Sequence, residues 1–525
     1  MKKLIVCMCL CVLVFLVAAC GRESLPEDYP ESTPYPEYDT NGYAIPEPSA
    51  APIEAPGFDF YDIRLTVDPA TRTVSSGMSR ITFTNTTGND LHKIVVRVPL
   101  NAFDENVRHS FRELEPHVFR RGRDYGFMDI QYATIDDEDL DFELNGTVLF
   151  LYLDTPLAPD DTVQLVLQFS AYIPMISHRV GANEQAMWFG MFLPMLAVYG
   201  EDGWITHGYY PAGDPFVLEM ANFVVEIITP VNYIVAGTGV KVGEQLVEDA
   251  GTRVTTFTAS RTRDFAFAVS SYFRQEWIST DSGDIHLYYF SDDLPVDEIL
   301  EIARISMDYF SYMIGHYPFD HIRIVETDMF RDAMAFSNVI FVDTQALLEP
   351  NHMALSRALG HQWFFNVVGS DPIAESWLDK GLIRYLTTRF YMAQPPALRT
   401  YMNSAHASIS WRDDLYLTRG LSTFESWRDY YQTHHIKGML MFNALSNHIG
   451  DDVFWELINQ YFHTFYFRIA TGEDFMLLAE DIYGGSLTEF FEEWFTCGSV
   501  PQLPAVQRFV VGDYDNDRED DELTP

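Results

Sequence analysis

The spacing of apolar residues changes along the chain and predicts two kinds of structure. Between residues 58 and 170, apolar side chains alternate with polar ones in short runs, and turn residues such as Asp68-Pro69 separate the runs. Alternation puts every second side chain on one face of a strand. The alternating positions include Ile63, Leu65 and Val67, then Ile81 and Phe83, and later Val163, Leu165, Leu167 and Phe169. We therefore predict a β-rich amino-terminal domain over residues 57–270.

The pattern beyond residue 290 has the period of a helix. From Asp297 to Ile314, apolar residues fall on one helical face, and Gly315 follows as a stop signal. The apolar runs 322–325 and 339–342 predict buried strands, and helical patterns dominate afterwards. Thr471-x-x-Asp474 and Ser486-x-x-Glu489 both predict capped helix starts. The fold class is thus α+β and multidomain, with a second domain over 271–400 and a helical carboxy-terminal part over 401–503.

The amino terminus has the pattern of an export signal. Met1-Lys2-Lys3 is basic, an apolar stretch runs over 4–18, and Ala19-Cys20-Gly21 follows. A cysteine directly after small residues resembles the lipobox of bacterial lipoproteins. The resemblance implies that residues 1–20 are a lipoprotein signal peptide, with cleavage before Cys20 and lipidation of its thiol. An ordinary signal peptide and an uncleaved membrane anchor are the alternatives.

Two further segments have compositions that do not support a packed core. Residues 21–56 are rich in proline and acidic residues, which favours an extended tether. Residues 504–525 form an acidic tail. Together with lipidation at Cys20, the tether predicts an extracytoplasmic protein that is lipid-anchored to the bacterial cell membrane and held away from its surface.

The charge of the chain limits its partners. The formal net charge is −42 at pH 7. A nucleic acid would be repelled by this charge, so we predict no nucleic-acid partner. A strongly acidic surface suits an exported protein that is kept soluble by charge.

One stretch has the form of a zinc-protease helix without its chemistry. The metalloprotease motif H-E-x-x-H places two histidines on one helix face, with the glutamate as general base. Over Ser356 to Phe365, the corresponding positions hold Arg357, Ala358 and His361. A single histidine does not make a metal site, because a catalytic zinc needs about three protein ligands.

The residues around this stretch resemble the aminopeptidase N-type zinc metallopeptidase family, which is peptidase family M1 of the gluzincins. The segment 361–364 is similar to the family's H-Q-W-F, and Asn366 follows as in the family. The segment 375–382 is similar to its W-L-D-E-G region, and 437–438 to the end of its Y-E-K-G segment. Weaker similarities cover 213–216, 263–266, 315–319 and 333–338, so the resemblance spans about residues 57–503.

The resemblance implies which positions carry chemistry in active relatives, and this chain departs at those positions. The third zinc ligand of the family is a glutamate 19 positions after the second histidine, and here that position holds Lys380. The family's amino-terminus-binding glutamate is replaced by Ala335, and its oxyanion-stabilising tyrosine by His435. The framework residues Trp363, Asn366, Trp377, Gly381 and Gly438 are retained.

These departures predict a relict metal site. Of the implied ligand positions Arg357, His361 and Lys380, only His361 can bind a metal, and the two cations would repel one. We therefore expect no cofactor, although the resemblance implies zinc in active relatives. A rearranged metal site would have to use His434, His435, His352 or Glu375. Arg357 and Lys380 are expected either to be neutralised by Glu375, Asp379 or another acid, or to bind a ligand carboxylate together with His435.

The resemblance implies a β-rich domain, a thermolysin-like α/β domain over 271–400 and a helical part that closes the cleft. Three functions follow. The first is a membrane-anchored lipoprotein with an inactive peptidase domain, a pseudopeptidase that binds peptides or a protein partner. The second is an active zinc aminopeptidase with a rearranged metal site. The third is a purely structural or scaffolding envelope protein.

Overall fold

The computed structural model describes residues 57–108, 110–330 and 332–501. The predicted signal peptide, Cys20, the tether and the acidic tail lie outside these described residues. Within the described ranges, no helix combines the length and the hydrophobicity that crossing a bilayer requires.

Strands make up most of the described residues between 57 and 290, as the alternating pattern predicts. In β1, the alternating residues Ile63, Leu65 and Val67 are all buried. The strands are β1 Asp59–Asp68, β2 Thr73–Thr84, β3 Leu91–Arg97, β4 Phe127–Ile135, β5 Glu138–Asp139, β6 Asp141–Asn145, β7 Val148–Leu157, β8 Thr162–Tyr172, β9 Val180–Ala182, β10 Ala186–Phe189, β11 Met195–Leu196, β12 Tyr199–Gly200, β13 Gly203–Trp204, β14 Ala221–Pro230, β15 Ile234–Gly237, β16 Val240–Val247, β17 Thr252–Thr262, β18 Phe267–Ser270, β19 Arg274–Thr280, β20 Gly283–Tyr289, β21 His321–Thr327, β22 Ala333–Phe336 and β23 Val339–Asp343.

The strands before residue 271 form one large sheet and several smaller ones. The large sheet has eight strands in the order β16-β17-β14-β1-β2-β8-β4-β5, and only its β1 and β14 pair in parallel. Two four-stranded sheets, β15-β18-β10-β9 and β11-β3-β7-β6, pack with it around a common apolar core. Val325, Phe336 and Phe341 from later strands also belong to this core. The β-rich part is therefore packed directly against the segment that carries the candidate site.

A five-stranded sheet, in the order β19-β20-β21-β23-β22, supports the candidate site. Strands β20, β21 and β23 are parallel neighbours, and β22 runs antiparallel to β23 at the edge. The predicted runs 322–325 and 339–342 lie in β21 and β23, whose residues are all buried. The edge strand β22 carries Ala335, opposite Ile340 of β23.

Helices dominate after this sheet, as the sequence predicts. The helix expected over 297–314 spans Val296–Met313, and Gly315 follows it with a φ of 150°. The α-helices are α1 Glu115–Val118, α2 Val296–Met313, α3 Thr344–Leu348, α4 Met353–Gly360, α5 Ser376–Tyr391, α6 Pro395–Ile409, α7 Trp427–Tyr430, α8 Gly438–Ile449, α9 Asp451–Thr464, α10 Gly472–Tyr483 and α11 Thr488–Thr496. A π-helix spans Tyr431–Lys437, and 3₁₀ helices span Pro99–Phe103, Glu248–Ala250 and Leu421–Thr423.

One of the two predicted capping boxes is present and the other is wrong. Thr471 and Asp474 form reciprocal hydrogen bonds at the start of α10. Helix α11 instead begins at Thr488, and Ser486 lies outside it. The Ser486 hydroxyl donates to Glu480 of α10 at 3.0 Å and accepts from the Thr488 backbone N–H at 3.2 Å, so it links α10 to the first residue of α11.

Several segments that carry the family resemblance are joined by hydrogen bonds. The Trp363 indole donates to the Gly315 carbonyl at 2.7 Å. Gln362 accepts from the Asn338 backbone N–H at 3.1 Å, and the Asn338 side chain donates to the Tyr317 hydroxyl at 2.9 Å. Gln362, Asn338 and Tyr317 are buried, so an unmade hydrogen bond among them would be costly. The retained residues therefore fix the positions of α4 and the five-stranded sheet beside the candidate site.

Candidate ligand-binding cleft

A cleft of about 500 Å³ lies between the edge strand β22, helices α4 and α5, the π-helix and the loop that contains Asp214. Aromatic side chains form much of its wall. They are Phe330, Phe365, Trp427, Tyr430 and Tyr431. The charged lining residues are Asp214, Asp332, Glu349, Arg357, Lys380 and Arg384. All positions predicted as relict chemistry also line this cleft, so the structure brings Ala335, Arg357, Ala358, His361, Lys380 and His435 together.

Lys380 is buried and held between two carboxylates. Its Nζ donates to Oδ2 of Asp214 at 2.5 Å and to Oδ2 of Asp379 at 2.8 Å. Only 8% of the Lys380 side chain is exposed, so these charge-assisted hydrogen bonds replace most of its hydration. A second cation, Arg179, approaches the other oxygen of Asp214 at 3.5 Å. Four buried or half-buried charges thus neutralise one another at the base of the cleft.

The pKa values of this cluster follow from burial and charge together. Burial by itself would raise the pKa of Asp214, but Lys380 and Arg179 hold that pKa well below its usual range. Burial opposes the charge of Lys380, yet the two carboxylates raise its pKa above the ordinary value. For Asp379, burial outweighs the attraction of Lys380 and the pKa is raised. Lys380 is therefore a fixed cation at neutral pH.

Of the two acids that bind Lys380, the sequence predicted one. Asp379 accepts a hydrogen bond from Lys380, in agreement with the alternative that neighbouring acids neutralise this lysine. Glu375 is not a partner of Lys380, because its Oε2 accepts from the backbone N–H of Gly472 at the start of α10, at 2.8 Å. The second acid, Asp214, was not predicted as a partner of Lys380. It lies 166 positions from Lys380 in the chain, and no spacing rule connects the two.

Helix α4 places Arg357 and Ala358 at the cleft, and His361 is its C-cap residue. Arg357 has one weak ion pair, with Nη2 3.8 Å from Oδ2 of Asp332, whose side chain is 65% exposed. Ala358 is buried and supplies no proton-transfer group at the position of the family's general base. The expected pairing of residues 357 and 361 across one turn is therefore present, but with an arginine in place of the first histidine.

His361 is an uncharged histidine at neutral pH. Burial, followed by the charge of Lys380, lowers its pKa to about 3. Its Nδ1 lies 3.4 Å from the carbonyl oxygen of Phe364. A neutral imidazole is able to bind metal, but the charged groups around it are the Lys380 ammonium, the Asp214 carboxylate that pairs with it, and the Arg357 guanidinium.

The two adjacent histidines lie in the π-helix and face different ways. His435 lines the cleft, where its ring stacks on Tyr431 with the centroids 5.1 Å apart. His434 is fully buried, and its Nε2 lies 2.9 Å from the Arg419 carbonyl oxygen. The segment that holds them continues α7 as a largely buried π-helix. An extra residue per turn of this kind often occurs at functional sites.

The residues present do not fit a catalytic zinc. Among the described residues, no group of three or more His, Cys, Asp or Glu side chains is arranged to hold a metal ion. The acids nearest His361 are committed to Lys380, whose ammonium would lie beside any metal that His361 bound. His434, Glu375 and His435 are directed to three different places, so they do not converge on a rearranged site.

The comparisons with known proteins agree with this architecture. Residues 298–494 match the family model described as the peptidase family M1 domain. Aminopeptidase O of Rattus norvegicus is 23% identical over 236 residues, covering 37% of this chain and 29% of the relative. Aminopeptidase Q of Homo sapiens is 22% identical over 380 residues, covering 64% of this chain and 37% of the relative. The chain thus matches less than two fifths of the length of either relative.

Solved structures extend the likeness over most of the chain. The M1 zinc metallopeptidase from Deinococcus radiodurans superposes with a TM-score of 0.64 at 16% identity, covering 85% of this chain and 95% of that protein. A mutant of it bound to a Tyr-Ser-Ala substrate gives a TM-score of 0.63. The predicted α+β fold is therefore confirmed. Residues 298–494 are thus similar to the peptidase family M1 domain, within a fold that the chain shares with M1 metallopeptidases.

Proposed function

We propose that this protein is a membrane-anchored bacterial lipoprotein whose M1-type domain has no zinc peptidase activity and binds a peptide, or a peptide segment of a protein partner, in the retained cleft. The observation that carries the proposal is Lys380 at the position where the family resemblance implies the third zinc ligand. An ammonium group held between Asp214 and Asp379 supplies a positive charge without a metal.

The residues at the other positions of the family's active site also support the proposed loss of activity. Ala358 provides no general base and Ala335 no carboxylate, so an attacking water would find neither a metal nor a proton acceptor at these positions. Arg357 stays charged under all ordinary conditions and would oppose a divalent ion. No step of peptide hydrolysis is therefore assigned to these residues.

The proposed binding role rests on the size and character of the cleft. About 500 Å³ is enough for a short peptide, and the aromatic wall offers apolar contact area. The structural relative bound to Tyr-Ser-Ala supports a ligand of peptide size. A purely structural domain would have no need of an open cleft lined by both aromatic and charged side chains.

Zinc analysis tests the inactive assignment. We expect the full chain, solubilised in a neutral detergent and dialysed mildly, to hold less than about a tenth of an equivalent of zinc by elemental analysis. It should also leave aminoacyl-nitroanilide substrates uncleaved. The M1 zinc metallopeptidase from Deinococcus radiodurans, purified in the same way, is the positive control. A zinc content near one equivalent in this chain, together with turnover, would show that a rearranged site is active.

The anchoring proposal has its own test. If lipid on Cys20 holds the protein at the membrane, the Cys20→Ser variant should lose lipid labelling and move from the membrane fraction to the soluble fraction. The unaltered chain, expressed at the same level, is the control. A variant that stays in the membrane fraction would instead support an uncleaved apolar anchor.

A further inference from the structure

Two arginines line the cleft close to one another. Arg357 comes from α4 and Arg384 from α5, one helical turn after Lys380. The Cζ of Arg384 lies 4.9 Å from the centroid of the Tyr431 ring. Its Nε is buried and has no hydrogen-bond partner among the described residues. Stacking on an aromatic ring orients a guanidinium but leaves its hydrogen-bond donors unused.

Neighbouring carboxylates neutralise little of the positive charge of these two arginines. The one ion pair of Arg357 is the 3.8 Å approach to the largely exposed Asp332, and such surface pairs contribute little. Burial, and then the neighbouring charge of Arg384, lower the pKa of Arg357. Two like charges thus lie within reach of each other beside a partly desolvated cavity, where an anion would relieve their repulsion.

The other ionisable groups do not supply that anion. Asp214 is committed to Lys380 and Arg179. Glu349 is an exposed residue of the cleft rim, as is Asp332. His361 is uncharged near pH 7, because its pKa is about 3. Within the described residues, Nε of Arg384 is thus a buried donor of the cleft without a hydrogen-bond partner, and beside it Arg357 has the weak pair with Asp332.

We infer that Arg357 and Arg384 together bind the carboxylate of a peptide ligand, and this inference rests on the proposed function. Guanidinium groups match carboxylates with paired, charge-assisted hydrogen bonds. Trp427 and Tyr431 flank the arginines and offer a surface for an apolar side chain of the same ligand. The free amino terminus of a peptide would be repelled here, and Ala335 offers no carboxylate to hold it. The cleft thus selects acidic peptide ends or acidic side chains.

Peptide pairs that differ in one charge test this selectivity. Isothermal titration calorimetry on the full chain in detergent would use N-acetyl-Ala-Ala-Phe with a free carboxylate and the same peptide as its carboxamide. We expect the acid to bind at least about tenfold more tightly than the amide. A third probe, N-acetyl-Ala-Glu-Phe amide, identifies the source of the carboxylate. Tight binding of this probe supports an acidic side chain, and preference for the free acid supports the carboxyl terminus.

Variants of the arginines test where the carboxylate binds. Arg384→Met and Arg357→Met keep the apolar stem and should each weaken binding of the acid by about tenfold, while leaving the amide unchanged. Arg64→Met is the matched control, because it removes the same charge from an exposed position on β1. Thermal unfolding of every variant shows that the fold is intact, and the acid–amide comparison on the unaltered chain needs no variant.

The outcomes separate the inference from the proposed function. Equal affinity for acid and amide, or full affinity in Arg384→Met, would overturn the carboxylate site but leave peptide binding standing. No binding of any peptide would overturn both. Binding of inorganic phosphate without any peptide would assign the arginine pair to a different class of ligand and would also overturn the inference.

Discussion

Replacing Lys380 by methionine is expected to lower the free energy of unfolding by about 3–5 kcal/mol. The variant keeps the apolar stem but leaves Asp214 and Asp379 facing each other without their shared cation. Burying an uncompensated charge costs far more than an intact ion pair contributes. Urea denaturation of the full chain at pH 7, followed by tryptophan fluorescence, measures the difference.

The difference in stability between the unaltered chain and Lys380→Met should depend on pH. The pKa of Asp214 is depressed in the folded chain, so its contribution to stability is present above the unfolded value of about 3.9 and is lost as the pH falls toward the folded value. In Lys380→Met the larger cause of that depression is removed and only Arg179 remains beside Asp214. The gap in stability between the unaltered chain and the variant should therefore narrow as the pH is lowered below about 4.

Two further variants control the interpretation. Lys241→Met removes an exposed lysine whose Nζ is 3.3 Å from Glu244, and it should change stability by no more than about 0.5 kcal/mol. Combining Lys380→Met with Asp379→Asn removes the stranded carboxylate while Arg179 still neutralises Asp214, and it should recover most of the loss. A Lys380→Met variant as stable as the unaltered chain would mean that the cluster does not have the buried charges described.

The parts of the fold that sequence predicted are those set by local patterns. Helix α2 is recognisable because its apolar face repeats along the chain and Gly315 ends it. Strand β1 is recognisable because Ile63, Leu65 and Val67 alternate. The family resemblance at His361 and Lys380 also located the cleft, because each residue lies at the end or in the first turns of a helix that borders it. The domain limits at 270 and 400 stay predictions.

The parts of the site that sequence did not predict depend on long-range geometry. Asp214 reaches Lys380 from a loop in the β-rich part, and only the folded chain brings the two together. Glu375 was a plausible partner by proximity in sequence, but it is used at the start of α10. The π-helix around His435 has no sequence signal comparable to a heptad or an alternation. Arg384 could have been found, because it shares a helix face with Lys380.

The glycines retained from the family pattern have a structural explanation. Gly381 of α5 and Gly438 at the start of α8 face each other at a close helix crossing. A Cβ built on Gly381 would lie 2.9 Å from the Cα of Gly438, and a Cβ on Gly438 would lie 3.0 Å from the Cα of Gly381. Backbone atoms cannot move aside as a flexible side chain does. Arg384 of α5 and His435 of the π-helix that leads into α8 both line the cleft, so the crossing holds these two parts of the cleft wall together.

Gly381→Ala is therefore expected to lower the free energy of unfolding by about 2–3 kcal/mol, because the added methyl forces the two helices apart. Helix propensity alone predicts the opposite sign, a gain of about 1 kcal/mol for alanine over glycine in a helix. Urea denaturation thus decides between packing and propensity in one measurement. Gly208→Ala is the control, since a Cβ there meets nothing within 4 Å and should change stability by no more than about 0.5 kcal/mol. A stabilised Gly381→Ala variant would show that the crossing is looser than described, and that this glycine does not set the spacing of the cleft walls.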